Sequence, residues 1–421
     1  MKMGVRLRSI ALAERSGPGL ITGAADDDPS GIATYSQAGA QAGFGLFWTV
    51  VLTYPLMSAV QLVSANIRRV TGVGRAANIE KLFPTSVVTG LVGLLFIANT
   101  INTGADLSAT GAGGTLVTGV NAHIMTVGFA LLSLLLQLSV PYRRYVSLLK
   151  WLTPALFSYL AGPLFVKLDA GAVGHGLFSP HIDNRAAIIV TVVIVGTTIS
   201  PYLFFWRSAQ EVEEVDSDRV AEVLVEAPLQ ARRQFRRIWF DMLIGMGFFS
   251  LVAIAIIIST AATPHAHGIV DMQTASQEAQ ALTPIAGKYA FLLFTVGIIG
   301  TVLLAIPVLA GSTAYAFGGS RGWRSRLGCK LWEATGFYTV IGLATLLSIA
   351  IDWSPFDPIK ALFWSAVVNG VVAVPIMIAV MIVVRRHDRI GKFTAPLSIT
   401  LLGSAATLIM ASAAIAMVVV Q

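Results

Sequence analysis

The chain alternates between long apolar runs and short segments that contain charged residues, glycine or proline. A helix needs about 20 mostly apolar residues to cross the hydrocarbon core of a bilayer. The pattern predicts an all-α membrane protein of about 11 transmembrane helices. The glycine-rich Gly111–Gly114 is expected to lie in an outer turn after the third span. The predicted spans are 18–41, 44–66, 86–110, 121–141, 146–166, 186–212, 238–262, 280–316, 331–351, 358–384 and 394–420.

Lysine and arginine are distributed unevenly between the two sides that eleven spans define. Of the 29 basic residues, 25 fall on one side, and the other side has only Lys167, Arg185, Lys288 and Lys360. Short cytoplasmic loops are enriched in basic residues. We therefore expect a multi-pass protein of the cell membrane, with the N-terminal segment 1–16 in the cytoplasm and Gln421 outside.

The composition excludes an ordinary soluble domain. Charged residues make up 12% of the chain and hydrophobic residues 55%, whereas soluble domains have about 25% charged residues. The net charge of +7 is explained by the basic loops, so the lipid bilayer is expected as a partner and nucleic acid is not. The single Cys329 forms neither an internal disulfide nor a thiolate metal cage.

The ends of the spans support three smaller expectations. No small-residue cleavage site follows the basic start of the chain, so no cleaved signal peptide is expected. The polar stretch 211–237 is predicted to be a solvated cytoplasmic helix, with a metal-sensing loop as the less favoured alternative. Asp241 and Glu333, near the cytoplasmic ends of spans, are expected to pair with nearby arginines.

The first span contains three consecutive acids, Asp26, Asp27 and Asp28, followed by Pro29, Ser30 and Gly31. An acid at the centre of a membrane helix costs about 2.5–3.5 kcal/mol even on the mildest scales. Proline lacks the amide hydrogen, and serine and glycine are poor helix formers. The segment therefore predicts an unwound point, which survives at membrane depth only where it is buried in protein or lines a cavity.

The sixth span has a similar interruption. Thr197, Thr198 and Ser200 precede Pro201, so free backbone carbonyls are expected near Thr197 and Ser200. Two interrupted spans in corresponding halves are typical of transporters built from inverted repeats. The candidate ligands are the Asp28 carboxylate, hydroxyls and carbonyls, and such oxygen donors suit Mg²⁺, Ca²⁺ and Mn²⁺.

These motifs resemble the Nramp divalent-metal transporters, and the likeness covers nearly the whole chain. The matching segments are Gly17-Pro18-Gly19, Asp28-Pro29-Ser30-Gly31, Arg69-Val70-Thr71-Gly72, Gly196 to Ala209, Leu282-Thr283-Pro284-Ile285-Ala286-Gly287 and Ala310-Gly311. The resemblance implies the leucine-transporter fold, with inverted five-helix repeats at 18–166 and 186–384 and an eleventh span at 394–420. The chain is treated as one transporter domain over 1–421.

The resemblance also implies a metal site between the unwound parts of helices 1 and 6. By position, Asp28 is the metal-binding carboxylate and Gly31 takes the place of the family's ligand asparagine. Ser200 takes the place of the ligand methionine, and Thr197 that of the alanine that donates a carbonyl. Asp26, Asp27 and Asn369 are further candidates, either to bind waters around the ion or to line its entry.

The departures from the family pattern bear on the substrate. Without the methionine the site lacks its soft ligand, and without the asparagine a coordination position is expected to be empty, which widens the site. A wide oxygen-only site suits a partly hydrated ion such as Mg²⁺. The sequence is thus similar to the Nramp-related magnesium transporters, and we expect Mg²⁺ as substrate with Mn²⁺ also accepted.

Proton coupling is expected to be weak or absent. The family's sixth-helix histidines correspond to Tyr202 and Arg207, and neither shuttles protons near neutral pH. The family's pair of acids on the third helix is reduced to Asp106, a candidate for a proton path whose partner position is Thr103 or Ala109.

Four other functions compete with Mg²⁺ transport. A proton-coupled Mn²⁺/Fe²⁺ Nramp transporter keeps the fold and the site, and a sodium-coupled carrier of organic solutes keeps only the fold. The triplet of acids argues against an anionic organic substrate. A membrane protein without transport would not explain two matched breaks, and the absence of a catalytic pair or a His/Cys cluster within the spans argues against an enzyme. No resident cofactor and no obligate protein partner are expected.

Overall fold

The computed structural model is almost entirely helical in the residues it describes. These are residues 23, 25–71, 83–140, 160, 163, 170–180, 182, 184–217, 224, 228–272, 275–280, 282–283, 287–327, 329–355, 357–386, 390 and 393–420. The predicted segment 1–16 and, apart from residues 160 and 163, the predicted fifth span 146–166 lie outside them.

The described helices follow the apolar runs. In chain order they are α1 (Pro29–Ala42), α2 (Phe47–Thr71), α3 (Thr85–Thr118), α4 (Ala122–Ser139), α5 (Ala170–Phe178), α6 (Arg185–Thr198), α7 (Pro201–Ser217), α8 (Ala231–Ala262), α9 (Ala275–Gln280), α10 (Ala290–Arg321), α11 (Thr335–Asp352), α12 (Pro358–Val384) and α13 (Leu397–Val420). Short 3₁₀ turns lie at Pro228–Gln230, His265–His267 and Gly287–Tyr289.

Nine spans of sufficient length and hydropathy are found among the described residues, with α6 and α7 together forming one of them. They correspond to the predicted spans two, three, four and six to eleven, which confirms the predicted fold class. Of the first predicted span, α1 supplies the part after the acid triplet.

The eighth span begins later than predicted. Helix α10 starts at Ala290, and the 3₁₀ turn Gly287–Tyr289 comes directly before it, while Gln280 belongs to the short α9. Gly287 has a φ of 50°, a left-handed conformation that is not part of a regular α-helix.

The third span is longer than predicted, and Gly111–Gly114 lies within helix α3 rather than in an outer turn. A Cβ at Gly111 would lie 2.6 Å from the Ala122 carbonyl oxygen and would also clash with Thr126. The glycine therefore permits close packing of α3 against α4, and Gly119, with a φ of 70°, ends the helix instead.

Helix packing shows the relationship expected of two inverted repeats. Helix α1 of the first span packs against α8 of the seventh, and α7 of the sixth span packs against α2 of the second. In two five-helix repeats, span one corresponds to span six and span two to span seven. The contact of spans one and seven is therefore the counterpart of the contact of spans six and two. Helix α3 lies at the centre, in contact with α10, α12 and α11.

The start of the polar stretch 211–237 is not solvated as predicted. Glu211 is fully buried and pairs with Arg207 at 2.8 Å and with Arg237 at 2.7 Å. Glu213 accepts hydrogen bonds from the Tyr315 hydroxyl at 2.8 Å and from the Leu327 amide at 3.0 Å. These carboxylates connect α7 to α8, α10 and the segment after α10. The predicted pairing of Asp241 is confirmed, since it lies 2.9 Å from Arg207.

Candidate metal site

The break in the first span is organised by the start of α1. Residues 25 and 26 are helical, 27 and 28 bend, and α1 begins at Pro29. Asp28 is the N-cap: its Oδ1 accepts the Gly31 amide hydrogen at 2.8 Å. Proline is favoured at the first helical position, and a carboxylate is stabilised at a helix N-terminus. The sequence Asp-Pro-Ser-Gly therefore holds Asp28 in place by local capping.

The break in the sixth span lies between α6 and α7. Helix α6 ends at Thr198 and α7 begins at Pro201, so Ile199 and Ser200 are not helical. The Ser200 hydroxyl donates to the Thr197 carbonyl at 2.6 Å. That carbonyl is freed from its helical partner by the break, and it keeps a second lone pair for another ligand.

Side chains of the two spans meet at the breaks. The Thr198 and Tyr35 hydroxyls are 2.8 Å apart, which joins α6 to α1. A Cβ at Gly31 would lie 3.8 Å from the Thr197 hydroxyl oxygen and 3.7 Å from Oδ1 of Asp28. Asp28, Gly31 and Thr197 therefore surround one small region, with Ser200 bonded to Thr197 beside it.

Gly31 does not leave the open space expected from the missing asparagine. A Cβ at this position would lie 2.9 Å from the Asp26 carbonyl oxygen, too close to be accommodated without a shift. The backbone of the unwound segment therefore approaches Gly31 closely, and the Asp26 carbonyl oxygen occupies the space that a Cβ atom would need.

Asp26 and Asp27 are both fully buried. Neither carboxylate has a hydrogen-bond partner among the described residues. Buried carboxylates without partners are strongly unfavourable. Together with Asp28 they make the break a place where a cation would be stabilised.

Asn102 of α3 contacts the site although sequence reasoning gave it no role there. Its Nδ2 donates to Oδ2 of Asp28 at 2.9 Å and lies 3.5 Å from Oδ2 of Asp106. Asp106, the candidate for a proton path, is thus connected to Asp28 through Asn102, and whether Thr103 or Ala109 occupies the place of the family's second acid stays open. The sequence could have indicated that Asn102 lies near Asp106, because the two residues are one helical turn apart on the same face of α3.

Ser365 is the residue through which α12 reaches the site. Its hydroxyl lies 2.7 Å from Oδ1 of Asn102 and 3.3 Å from the Ser30 hydroxyl. Asn369, the predicted candidate on this helix, lies one turn further along and is also buried. Its Oδ1 has no hydrogen-bond partner in the part of the chain that is described.

A cavity of about 240 Å³ lies beside the C-terminal half of α1 and the N-terminal parts of α6 and α12. Its polar lining residues are Gln37, Gln41, Asp271 and Lys360. Ala33 is the lining residue nearest in sequence to the break. Between Ala33 and Asp28, about one helical turn before Ala33, the Ser30 hydroxyl donates to the Leu362 carbonyl at 3.2 Å. This contact of α1 with α12 therefore lies between the cavity and Asp28.

The donors available for a metal are hard oxygens. No group of three or more His, Cys, Asp or Glu side chains that could hold a metal is found among the described residues. Coordination at the break would therefore depend on Asp28, hydroxyls, backbone carbonyls and waters. Such donors suit hard divalent cations.

The sequence matches the family described as Nramp, natural resistance-associated macrophage protein-like, over residues 19–420. The chain belongs to the Nramp family. The resemblance drawn from the two interrupted spans is thereby confirmed.

Curated relatives within this family are similar over most of the chain. The divalent metal cation transporter MntH of Burkholderia ambifaria is 25% identical over 418 residues, 96% of this chain and 88% of that protein. MntH of Yersinia pestis is 27% identical over 321 residues, 72% of this chain and 73% of that protein.

Solved structures share the fold of this Nramp protein. The manganese transporter of Eremococcus coleocola, solved with an aromatic bis-isothiourea compound, superposes with a TM-score of 0.78 at 16% identity, covering 95% of this chain and 85% of that one. Mhp1, a nucleobase-cation-symport-1 family transporter, gives 0.54 at 14% identity, covering 94% and 91%. The chain therefore shares the fold of these two transporters.

Proposed function

We propose that this Nramp protein is a divalent metal cation transporter that imports Mg²⁺, and also Mn²⁺, across the cell membrane by alternating access. The observation that carries the proposal is the position of Asp28. It is a buried carboxylate that caps α1 and lies next to the break between α6 and α7. Interrupted helices that place an acid and free carbonyls together are the structural basis of cation sites in such transporters.

We infer that the ion is bound by Asp28, the Thr197 carbonyl and Ser200, with Gly31 acting through its backbone. Asp26, Asp27 and Asn369 would bind waters around the ion or line its route. The relatives named MntH are described as divalent metal cation transporters and support this substrate class.

Mg²⁺ is proposed because the candidate metal ligands near Asp28 are all oxygen atoms. Mg²⁺ keeps several of its waters, and hydroxyls and carbonyls accept hydrogen bonds from coordinated water. The second candidate is a proton-coupled Mn²⁺/Fe²⁺ transporter. It is favoured by the fold shared with the manganese transporter of Eremococcus coleocola.

Weak or absent proton coupling is proposed from the environment of Arg207. This guanidinium is fully buried and paired with Glu211 and Asp241, and it stands where the family has a histidine. Arginine, unlike histidine, does not serve as a proton shuttle. Asp106 remains the candidate for any proton path. A divalent ion that moves inward gains about 4.6 kcal/mol per 100 mV, twice the value for a single charge, so the membrane potential can drive uptake alone.

We propose the topology and the repeat boundaries from the positions of the basic residues. The N-terminus is cytoplasmic and the C-terminus outside, with repeats at 18–166 and 186–384 and a further span at 394–420. The cavity lined by Gln37, Asp271 and Lys360 would then open to the outside.

The test is uptake of Mg²⁺ and Mn²⁺ into proteoliposomes that contain a pH-sensitive dye, with the wild type and Asp28→Ala side by side. Asp352→Asn is the matched control, since this buried carboxylate contacts His123 and Thr126 rather than the residues of the breaks. We expect Mg²⁺ entry without acidification, its loss in Asp28→Ala and its retention in Asp352→Asn. Exclusion of Mg²⁺ together with proton-linked Mn²⁺ entry would support the second candidate instead.

Ser200→Met tests the basis of the metal preference. The substitution replaces a hard donor by a thioether, which favours softer transition metals. We expect the ratio of Mn²⁺ to Mg²⁺ uptake to rise. An unchanged ratio would mean that Ser200 does not contact the ion.

A further inference from the structure

The amide of Asn102 lies between three helices at the centre of the candidate site. It is fully buried on α3. Its nitrogen donates to Oδ2 of Asp28 at 2.9 Å and faces Asp106, while its oxygen lies 2.7 Å from the Ser365 hydroxyl of α12. The amide therefore links α3 and α12 to the break in front of α1.

The orientation of this amide follows from its partners. An ionised carboxylate only accepts hydrogen bonds, so the Asn102 nitrogen must face Asp28. The remaining oxygen then faces Ser365, whose hydroxyl can donate to it. Both ends of the amide have partners, which is the condition for a buried polar group to stay in one conformation.

The electrostatic consequence is specific to an amide. A lysine or arginine at this place would neutralise Asp28 and repel an incoming cation. Asn102 holds the carboxylate without a charge of its own, so the negative charge of Asp28 remains available to the metal.

Both oxygens of Asp28 already have donors from the protein. Oδ1 accepts the Gly31 amide, and Oδ2 accepts Asn102 and, more weakly, Tyr202 at 3.4 Å. Each oxygen keeps only part of its lone-pair capacity, and the carboxylate cannot rotate freely. The Asp28 carboxylate therefore has a fixed orientation, which favours binding of a metal through one oxygen rather than chelation by both.

We propose that Asn102 is a positioning residue that fixes the Asp28 carboxylate for one-oxygen contact and thereby discriminates against Ca²⁺. Mg²⁺ and similar small ions require near-octahedral geometry, whereas Ca²⁺ accepts more ligands and often chelates a carboxylate through both oxygens. This inference rests on the proposed function and names the residue that supports its metal ligand.

The experiment compares Asn102→Ala with Asn99→Ala in proteoliposomes of the full chain. Asn99 is a matched control: it is buried on the same helix, but its amide bonds to Leu309, Ser312 and Thr313 of α10 and not to the breaks. Initial rates of Mn²⁺ and Mg²⁺ uptake are measured over a range of metal concentrations, with and without competing Ca²⁺.

For Asn102→Ala we expect KM for Mn²⁺ to rise ~10-fold, as for loss of a hydrogen bond to a charged group, while Vmax per reconstituted protein changes little. Ca²⁺ should compete more strongly relative to Mg²⁺ than in the wild type. Asn99→Ala should leave KM and the Ca²⁺ competition at wild-type values, whatever its effect on protein yield.

Ser365→Ala provides a second variant in case Asn102→Ala does not fold. It keeps Asn102 but removes the group that orients its amide, so both effects should recur in smaller size. The inference would be overturned if KM and Ca²⁺ competition were unchanged in the Asn102 and Ser365 variants, or if Asn99→Ala shifted them equally. In either case, loss of uptake in Asp28→Ala would still support the proposed function. No divalent uptake by the wild type would overturn both.

Discussion

The hydroxyl of Tyr202 donates to Oδ2 of Asp28 across 3.4 Å, so the first turn of α7 is bonded to the residue that caps α1. This contact is long for a hydroxyl donor, and it is secondary to the 2.9 Å bond from Asn102. Tyr202→Phe should therefore raise KM for metal uptake by no more than about threefold. Concentration-dependent uptake in proteoliposomes measures this. A loss as complete as that expected for Asp28→Ala would mean that Tyr202 itself binds the ion.

The buried charge cluster of Arg207, Glu211 and Asp241 should be important for stability. Glu211 pairs with Arg207 and Arg237, and both Arg207 and Glu211 are inaccessible to solvent. Removing one member of a buried pair leaves an uncompensated charge and costs about 3–5 kcal/mol. Glu211→Ala should markedly lower the melting temperature of the detergent-purified protein.

Glu333→Ala is the control for that measurement. Glu333 is exposed, and its carboxylate accepts a hydrogen bond from the Lys330 amide at 3.2 Å. Substitutions at such surface positions change stability by about 0.5 kcal/mol or less. Equal melting temperatures for the two variants would show that the buried cluster contributes no net stability.

The contact between α1 and α8 depends on Gly39. A Cβ there would lie 2.5 Å from the Ile257 carbonyl oxygen and would also clash with Thr260. Gly39→Ala should separate the two helices and cost about 1–3 kcal/mol, as overpacking does. Gly90→Ala is the opposite case, since Gly90 of α3 is exposed with nothing within 4 Å of its Cβ position. Thermal unfolding should show a lower melting temperature for the first variant and no loss for the second.

Glu278 of α9, which lies outside the spans, should make stability depend on pH. Burial raises the pKa of Glu278 to about 8, and the nearby Asp357 carboxylate raises it as well. The folded state then binds a proton that the unfolded state releases near its ordinary value of 4.5. Stability should therefore be fully present below pH 4.5 and fall as the pH rises towards 8, by a few kcal/mol in all.

Glu278→Gln isolates this effect. The glutamine has nearly the same shape and does not titrate, so the melting temperature between pH 5 and 8 should fall less than in the wild type. The comparison needs only thermal unfolding in detergent over that range. Parallel pH profiles of the two proteins would assign the pH dependence to other groups.

Much of the fold could be predicted because the bilayer imposes simple rules. Apolar runs of span length can hardly be anything but helices, and the positions of α8, α12 and α13 follow from them. The two breaks could also be predicted, because proline and consecutive acids act locally. Asp28-Pro29 and Ser200-Pro201 interrupt their helices whatever surrounds them.

Other features required contacts between distant parts of the chain. Glycine is flexible in isolation, so Gly111–Gly114 was predicted as a turn, yet in α3 it permits close packing against α4. The start of the stretch 211–237 was expected in solvent, but Arg237 of α8 and the Tyr315 hydroxyl of α10 contact the buried Glu211 and Glu213.

The sequence by itself determined the helices, the two breaks and Asp28 as the central acid, because apolar length, proline and capping act within a few residues. Only the tertiary structure decided which side chains support that acid. Asn102 lies 74 residues from Asp28, and Ser365 lies 263 residues from Asn102. Whether an amide meets a carboxylate over such separations depends on how α3 and α12 pack against α1, and helical periodicity within one segment does not encode that arrangement.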